Sequence, residues 1–150
     1  MNQTVLNLYS FQSKLVRLGW LLLFFLPYWQ WSKTIVWTIV IIVSFAYIYL
    51  LVFGKRYDSQ QDYVARFKDY YSLKGIMAMF TNARVTAIAW FHFLAFDLLI
   101  GLHIVIDAQQ LMIPHWLLLP FLVASLMIGP AGLIAYLGLR MVYMQEIAIF

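Results

Sequence analysis

Four ionisable side chains lie within or directly after one otherwise apolar stretch of the chain. His92, Asp97 and His103 fall inside residues 85–106, and Asp107 follows immediately. An ionisable group inside hydrocarbon is costly, so each of these marks a candidate functional site. Two groups of different proton affinity can share acid–base work, which makes Asp97 a candidate acid and His92 a candidate base.

The spacing of these residues also allows a metal. At about 100° per residue, His92, His103 and Asp107 share one helical stripe, while Asp97 lies about 140° from His92. Imidazole and carboxylate suit non-haem iron, so His92, His103, Asp107 and the later His115 are candidate ligands. Asp97 is then expected to be metal-bound, hydrogen-bonded, neutral, or paired with a cation.

The composition decides what kind of element must position these residues. Apolar types make up 65% of the 150 residues and charged types only 11%, against about 45–50% and about 25% in soluble domains. This excludes a soluble enzyme, a disordered chain and a fibrous repeat, and leaves an integral membrane protein. Cysteine is absent, which excludes a disulfide framework, a thiolate nucleophile and a cysteine metal site.

Four stretches are long enough to cross a bilayer, at about 20 residues each. They are residues 5–26, 34–53, 85–106 and 116–139, and they predict one all-α transmembrane domain over 1–150, a four-helix bundle. The first contains Lys14 and Arg17, which either extend to the interface or face the bundle and pair with Asp97. Residues 54–84 hold six of the ten positive side chains. The positive-inside rule places this connection and both termini on the cytoplasmic, or in a plastid the stromal, side.

The long connection itself has an amphipathic pattern. Tyr63, Phe67, Tyr70 and Tyr71 recur at helical spacing, and most nearby charges lie off that face. The pattern predicts a short interfacial helix with its aromatic side toward lipid. The alternative is a solvated charged linker.

Small residues and prolines interrupt the last stretch. Pro120 and the run 129–132, Gly-Pro-Ala-Gly, predict a kinked helix in which Pro130 frees the carbonyl of Leu126. Ser125, Gly129, Gly132 and Tyr136 share one side of that helix. They predict either close helix packing or a groove for a flat ligand, with the Tyr136 hydroxyl as a donor.

Several short motifs resemble one known family when they are taken in order. They are the run 90–98, WFHFLAFDL, then Gly101, Asp107-Ala108, Ile113-Pro114-His115, the run 129–132, Tyr136-Leu137 and Arg140. Together they resemble the neoxanthin-synthase-like family, named after an abscisic-acid-deficient plant mutant. The clear match covers about residues 72–140. Departures from the pattern are Phe93 in place of a tyrosine, and His103 where an aromatic residue is common.

The resemblance implies a membrane enzyme of carotenoid metabolism. The implied reaction opens a carotenoid 5,6-epoxide to an allenic alcohol, an intramolecular isomerisation that requires no cofactor. We assign His92 as base and Asp97 as acid by chemistry. The expected substrate contacts are Trp90, Phe93, Phe96, Gly129, Pro130, Gly132 and Tyr136.

Three other functions are left open by the residues. One is iron-dependent carotenoid cleavage at the histidine and aspartate ligands named above. A second is a carotenoid- or chlorophyll-binding subunit of a larger pigment–protein complex, to which the 19% aromatic content is suited. A third is a proton or ion carrier that uses Asp97. The expected partners are membrane lipid and a carotenoid or other polyene, with a homo-oligomer as an open alternative, and nothing predicts nucleic-acid binding.

Overall fold

The protein is helical throughout the part that the structure describes. A computed structural model describes residues 3–58, 64 and 66–147, and no strand occurs among them. Two 3-10 helices, Gly54–Tyr57 and Phe67–Tyr71, lie between the second and third α-helices. The α-helices are α1 (Gln3–Phe25), α2 (Ser32–Phe53), α3 (Leu73–Met79), α4 (Ala83–Gln110), α5 (His115–Met127) and α6 (Gly129–Ile147). The predicted all-α class is confirmed.

Two of the described helical segments are long and apolar enough to cross a membrane. They are Ser32–Tyr57, which is α2 with the 3-10 turn after it, and Ala83–Gln110, which is α4. At 1.5 Å per residue, α4 is about 42 Å long, more than the hydrocarbon thickness of about 30 Å. The first three predicted stretches each fall on a helix, whereas the four-pass count stays a prediction.

The chain divides into two compact units. The first unit comprises residues 1–14 and 41–94, and the second comprises 15–40 and 95–150. In the first unit, Leu50 and Phe91 are fully buried. In the second, Leu23, Leu98 and Tyr136 are fully buried. This unit also contains Asp97 and Asp107, both on α4.

The predicted fourth span is not one helix. Between α5 and α6 the backbone of Ile128 leaves helical geometry, with φ −145° and ψ 75°. Pro130 has no N–H with which to continue the α5 hydrogen-bond pattern, but a proline is well tolerated in the first turn of a new helix. The expected kink is therefore a complete break. The 13 residues of α5 extend about 20 Å, too short to cross the hydrocarbon alone.

α5 and α6 form a tight hairpin. A Cβ atom on Gly132 would overlap the backbone of Ser125, so the two helices touch directly beside the break. Further along, α6 follows α4. Gly129 contacts Asp97, and seven residues later Tyr136 contacts Asp107. The two helices therefore run in the same direction, and the C-terminal end of α6 lies near the C-terminal end of α4.

The connection between α2 and α4 is partly ordered by side-chain bonds. The guanidinium of Arg84 donates one hydrogen bond to each carboxylate oxygen of Asp58, at 2.7 and 2.9 Å. That bond holds the pKa of Asp58 below its usual value, although partial burial opposes the effect. Phe67 and Tyr71 are exposed on a 3-10 helix rather than an α-helix. Tyr63 lies outside the described residues, and the interfacial helix stays a prediction.

Candidate functional site

Asp97 lies on α4 without a polar partner. Its side chain is half-buried, and no hydrogen bond or ion pair joins its carboxylate to any described residue. An ion pair with Arg17, one of the options that the sequence left open, is therefore not formed, and the side chains of Lys14 and Arg17 are both exposed. Of the options the sequence left open, the structure removes a salt bridge and a hydrogen bond within the described chain.

The wall facing Asp97 is the first turn of α6. A Cβ atom on Gly129 would overlap the Oδ1 atom of Asp97, so only a glycine admits the carboxylate at this distance. The next N–H groups of this turn do not bond to it, because Ala131 and Gly132 both donate to the carbonyl of Ile128, at 2.9 and 3.3 Å. Pro130 has no N–H. The carboxylate thus contacts a helix start in which the N–H groups of Ala131 and Gly132 are already bonded to the backbone.

Asp107, ten residues further along α4, has the opposite surroundings. Its Oδ2 atom accepts a hydrogen bond from the Tyr136 hydroxyl at 2.5 Å and another from Arg140 Nε at 2.8 Å. Tyr136 is fully buried, and Arg140 also donates to the Met144 sulfur. The negative charge of Asp107 is neutralised within the second unit.

Gly132 and Tyr136 were predicted to contact substrate. Gly132 is buried against Ser125, and the Tyr136 hydroxyl donates to Asp107. Both residues serve packing in this structure, and their contact with a substrate stays a prediction. Pro130, by contrast, is exposed beside the contact of Gly129 with Asp97.

His115 joins two connections instead of facing Asp107. Its Nε2 atom lies 2.9 Å from the carbonyl oxygen of Phe24, and Gln109 donates to the carbonyl of Pro27 at 2.9 Å. The end of α1 and the turn after it are thereby bonded to the end of α4 and the start of α5. No three His, Asp or Glu side chains gather as metal ligands anywhere in residues 3–58, 64 and 66–147.

His92, the candidate base, lies on the part of α4 that belongs to the first unit. It is exposed, and its ring centroid lies 5.9 Å from that of Tyr47 and 6.1 Å from that of Phe93. Phe93 and Phe96 are both about half exposed. Trp90 lines a cavity of about 340 Å³. The other residues lining that cavity are Val5, Leu6, Tyr9, Ala83, Thr86 and Ala87.

A second cavity of about 340 Å³ lies in the second unit and was not predicted. His103 is its one ionisable lining residue; the others are Trp37, Leu99, Ile100, Leu102, Ile106 and Leu133. Three helices contribute to the lining, so the pattern of one helix could not reveal it. The available signal was an unexplained histidine in an apolar run.

Comparisons with known proteins identify one relationship. A family model described as ABA DEFICIENT 4-like matches residues 7–136 of the chain. No curated protein and no solved structure matches it significantly. The family match begins in α1 and ends in α6, at Tyr136, so it includes both Asp97 and Asp107.

Proposed function

This chain belongs to the ABA DEFICIENT 4-like family, and we propose that it is an integral membrane enzyme that isomerises a carotenoid by acid–base chemistry. Family membership supports a carotenoid- or neoxanthin-related role. Two helices apolar enough to cross a bilayer support a site that a lipid-soluble substrate enters from the membrane. The residue assigned to the chemistry is Asp97.

The observation that carries the proposal is the isolation of Asp97. A carboxyl group that has neither a cation nor a hydrogen-bond donor beside it is more stable neutral than charged when its surroundings are apolar. A neutral carboxyl is a proton donor. The structure holds a second carboxylate, Asp107, in two hydrogen bonds on the same helix, so the lack of a partner at Asp97 is a local property.

The proposed reaction conserves atoms and electrons. The Asp97 carboxyl gives its proton to the epoxide oxygen as one carbon–oxygen bond breaks. A base takes a proton from a neighbouring carbon, and the electron pair of that carbon–hydrogen bond becomes the new carbon–carbon double bond. His92 is proposed as the base by its chemistry, since its imidazole is exposed and packs against aromatic rings.

Expression in a carotenoid-producing host tests the enzyme proposal. Cells supplied with violaxanthin or with β-carotene are extracted, and the pigments are separated by chromatography. We expect a new isomer of unchanged mass from the epoxide-bearing violaxanthin and none from β-carotene. An unchanged pigment profile with well-expressed protein would overturn the enzyme proposal.

A second candidate function is pigment binding without reaction. Trp90, Phe93 and Phe96 expose large aromatic surfaces on α4, which are suited to contact with a polyene. Purified protein that returns a bound carotenoid chemically unchanged, from cells that contain no new product, would favour this function. The ligand geometry among the described residues supports no third, iron-dependent candidate.

We further propose that the α5–α6 hairpin enters and leaves the membrane from one side. α5 is too short to cross, and α6 returns alongside α4. The C-terminal end of α6 then shares a side with Gln110, whereas the prediction of four passes places it with residues 54–84.

Single cysteines test this topology without background, because the chain contains none. We expect an impermeant thiol reagent to label Met144→Cys from the same side as Gln110→Cys, and Lys74→Cys from the other. Labelling of Met144→Cys together with Lys74→Cys would contradict the hairpin.

A further inference from the structure

His103 is a polar side chain with no assigned task in an apolar groove. The groove, lined as given above by residues of α2, α4 and α6, has a volume of about 340 Å³. His103 is exposed, and neither ring nitrogen forms a hydrogen bond with a described residue. His103 interacts electrostatically with the acid one turn later, Asp107, but the hydrogen bonds to Asp107 come from Tyr136 and Arg140. The imidazole is therefore available to a ligand.

The groove lies one helical turn beyond the contact of Asp97 with Gly129. Ile100 follows Asp97 by one turn on α4, and Leu133 follows Gly129 by one turn on α6. Residues three or four apart share a helix face, so the groove continues along the same two helices from the contact of Asp97 with Gly129. Asp97 and His103 are separated by about 9 Å along the α4 axis and by about 120° around it, so Asp97 lies beside the groove and is not one of its lining residues.

Size and chemistry limit the occupant. Ligand pockets run from about 300 to 1,000 Å³, so a cavity of this size holds one end of a long molecule better than the whole of it. Six of the seven lining residues are apolar or aromatic, and the seventh can donate or accept one hydrogen bond. This fits a methylated ring that carries an oxygen substituent within reach of one hydrogen-bonding side chain.

We propose that this groove binds the oxygen-bearing end ring of a carotenoid, and that His103 hydrogen-bonds to the ring oxygen. The inference rests on the proposed carotenoid ligand. His103 is then a specificity-determining residue that distinguishes oxygenated from unoxygenated end rings. It does not take part in the proton transfers.

A pair of pigments tests this directly. Zeaxanthin and β-carotene have the same polyene, and they differ by a hydroxyl on each end ring. Purified protein in detergent micelles is titrated with each pigment, and binding is followed by the shift of the pigment absorption band. We expect wild type to bind zeaxanthin about 2- to 10-fold more tightly, the value of one net hydrogen bond.

Two substitutions at one exposed position provide the control. His103→Phe keeps a ring and removes the hydrogen bond, so the preference is expected to disappear while β-carotene binding stays within about 2-fold of wild type. His103→Gln keeps a donor and an acceptor and is expected to retain a preference. Leu133→Ala is expected to weaken both pigments equally, because it removes apolar contact only.

The outcomes separate this inference from the enzyme proposal. Equal binding of the two pigments by wild type, or an unchanged preference in His103→Phe, would overturn the role of His103 even if the protein converts violaxanthin. A preference that is lost in His103→Phe supports the groove even if no cell extract contains a new product.

Discussion

Asp97 and Asp107 are the same residue type on the same helix, and both contact α6, but they differ in their hydrogen-bond partners. Asp107 receives a phenol and a guanidinium on one oxygen. Asp97 meets the bare backbone of Gly129 and no donor among the described residues. A carboxylate inside a membrane protein is costly unless it is paired. The hydrogen bonds from Tyr136 and Arg140 offset this cost at Asp107, whereas no hydrogen bond from a described residue offsets it at Asp97.

The difference assigns a structural role to Asp107 and leaves Asp97 for the proposed chemistry. Asp107 joins α4 to α6 across 29 and 33 residues of sequence, which fixes the direction in which α6 returns. Asp97 gives the fold nothing comparable. The proposed function assigns to this unpaired acid a reaction that needs its proton.

Asp97→Asn is expected to have the largest effect. It removes the proposed acid and leaves a side chain of the same shape, so carotenoid conversion should fall by about 100-fold or more, the usual value of general-acid catalysis. The thermal midpoint should stay close to that of wild type. Pigment chromatography and thermal melts in detergent measure both. Conversion that survives in Asp97→Asn would assign the chemistry elsewhere.

Gly129→Ala is expected to have the next largest effect. The added Cβ overlaps the Asp97 carboxylate, so the acid must turn away from its present position. A misplaced catalytic group costs about 10- to 100-fold in rate. If Gly129 acts through Asp97, the double variant with Asp97→Asn should be no slower than Asp97→Asn alone. Multiplied defects in the double variant would show two independent roles.

Asp107→Asn should affect stability rather than rate. It leaves Arg140 without its anion and weakens the contact between α4 and α6, so the thermal midpoint should fall. The fall should be modest, because Arg140 is partly exposed to solvent. Conversion per folded chain should stay within about 3-fold of wild type. A catalytic loss as deep as that of Asp97→Asn would remove the contrast between the two acids.

Substitution of Asp58 is expected to have the smallest effect on stability. It provides a reference ion pair for comparison with Asp107. Because Arg84 lowers the folded-state pKa of Asp58, the pair stabilises the protein at neutral pH. That contribution is lost as the pH falls below about 4 toward the lowered folded value. Asp58→Asn should cost about 1 kcal/mol or less at pH 7. The difference in thermal midpoint from wild type should shrink toward pH 3, whereas a difference that grows on acidification would contradict the assigned pairing.

Much of the helical content could be predicted because it depends on local composition. α2 and α4 are apolar runs ended by charged or polar residues, and each begins within two residues of its predicted start. The break at Ile128 could not be predicted in the same way. Pro130 is compatible with a kink or with the start of a new helix. The structure has the new helix, α6, which packs against α4, a helix distant from it in sequence.

The candidate site shows the same limit. The isolation of one acid in α4 was visible in the sequence, whereas its neighbours were not. A cation was one of several partners that the sequence left open for Asp97, and Gly129 is the observed neighbour. The pairing at Asp107 had a local signal, since Tyr136 and Arg140 are four residues apart on one helix face, but the helix they would meet depends on the hairpin.

Infrared spectroscopy tests the contrast between the two acids most directly, since a neutral carboxyl and a carboxylate absorb in different regions. Spectra of the purified wild-type protein are compared with those of Asp97→Asn and Asp107→Asn at neutral pH. We expect Asp97→Asn to remove the carbonyl band of a neutral carboxyl and Asp107→Asn to leave that band in place. Loss of only a carboxylate band in Asp97→Asn would contradict the assignment of Asp97 as the proton donor.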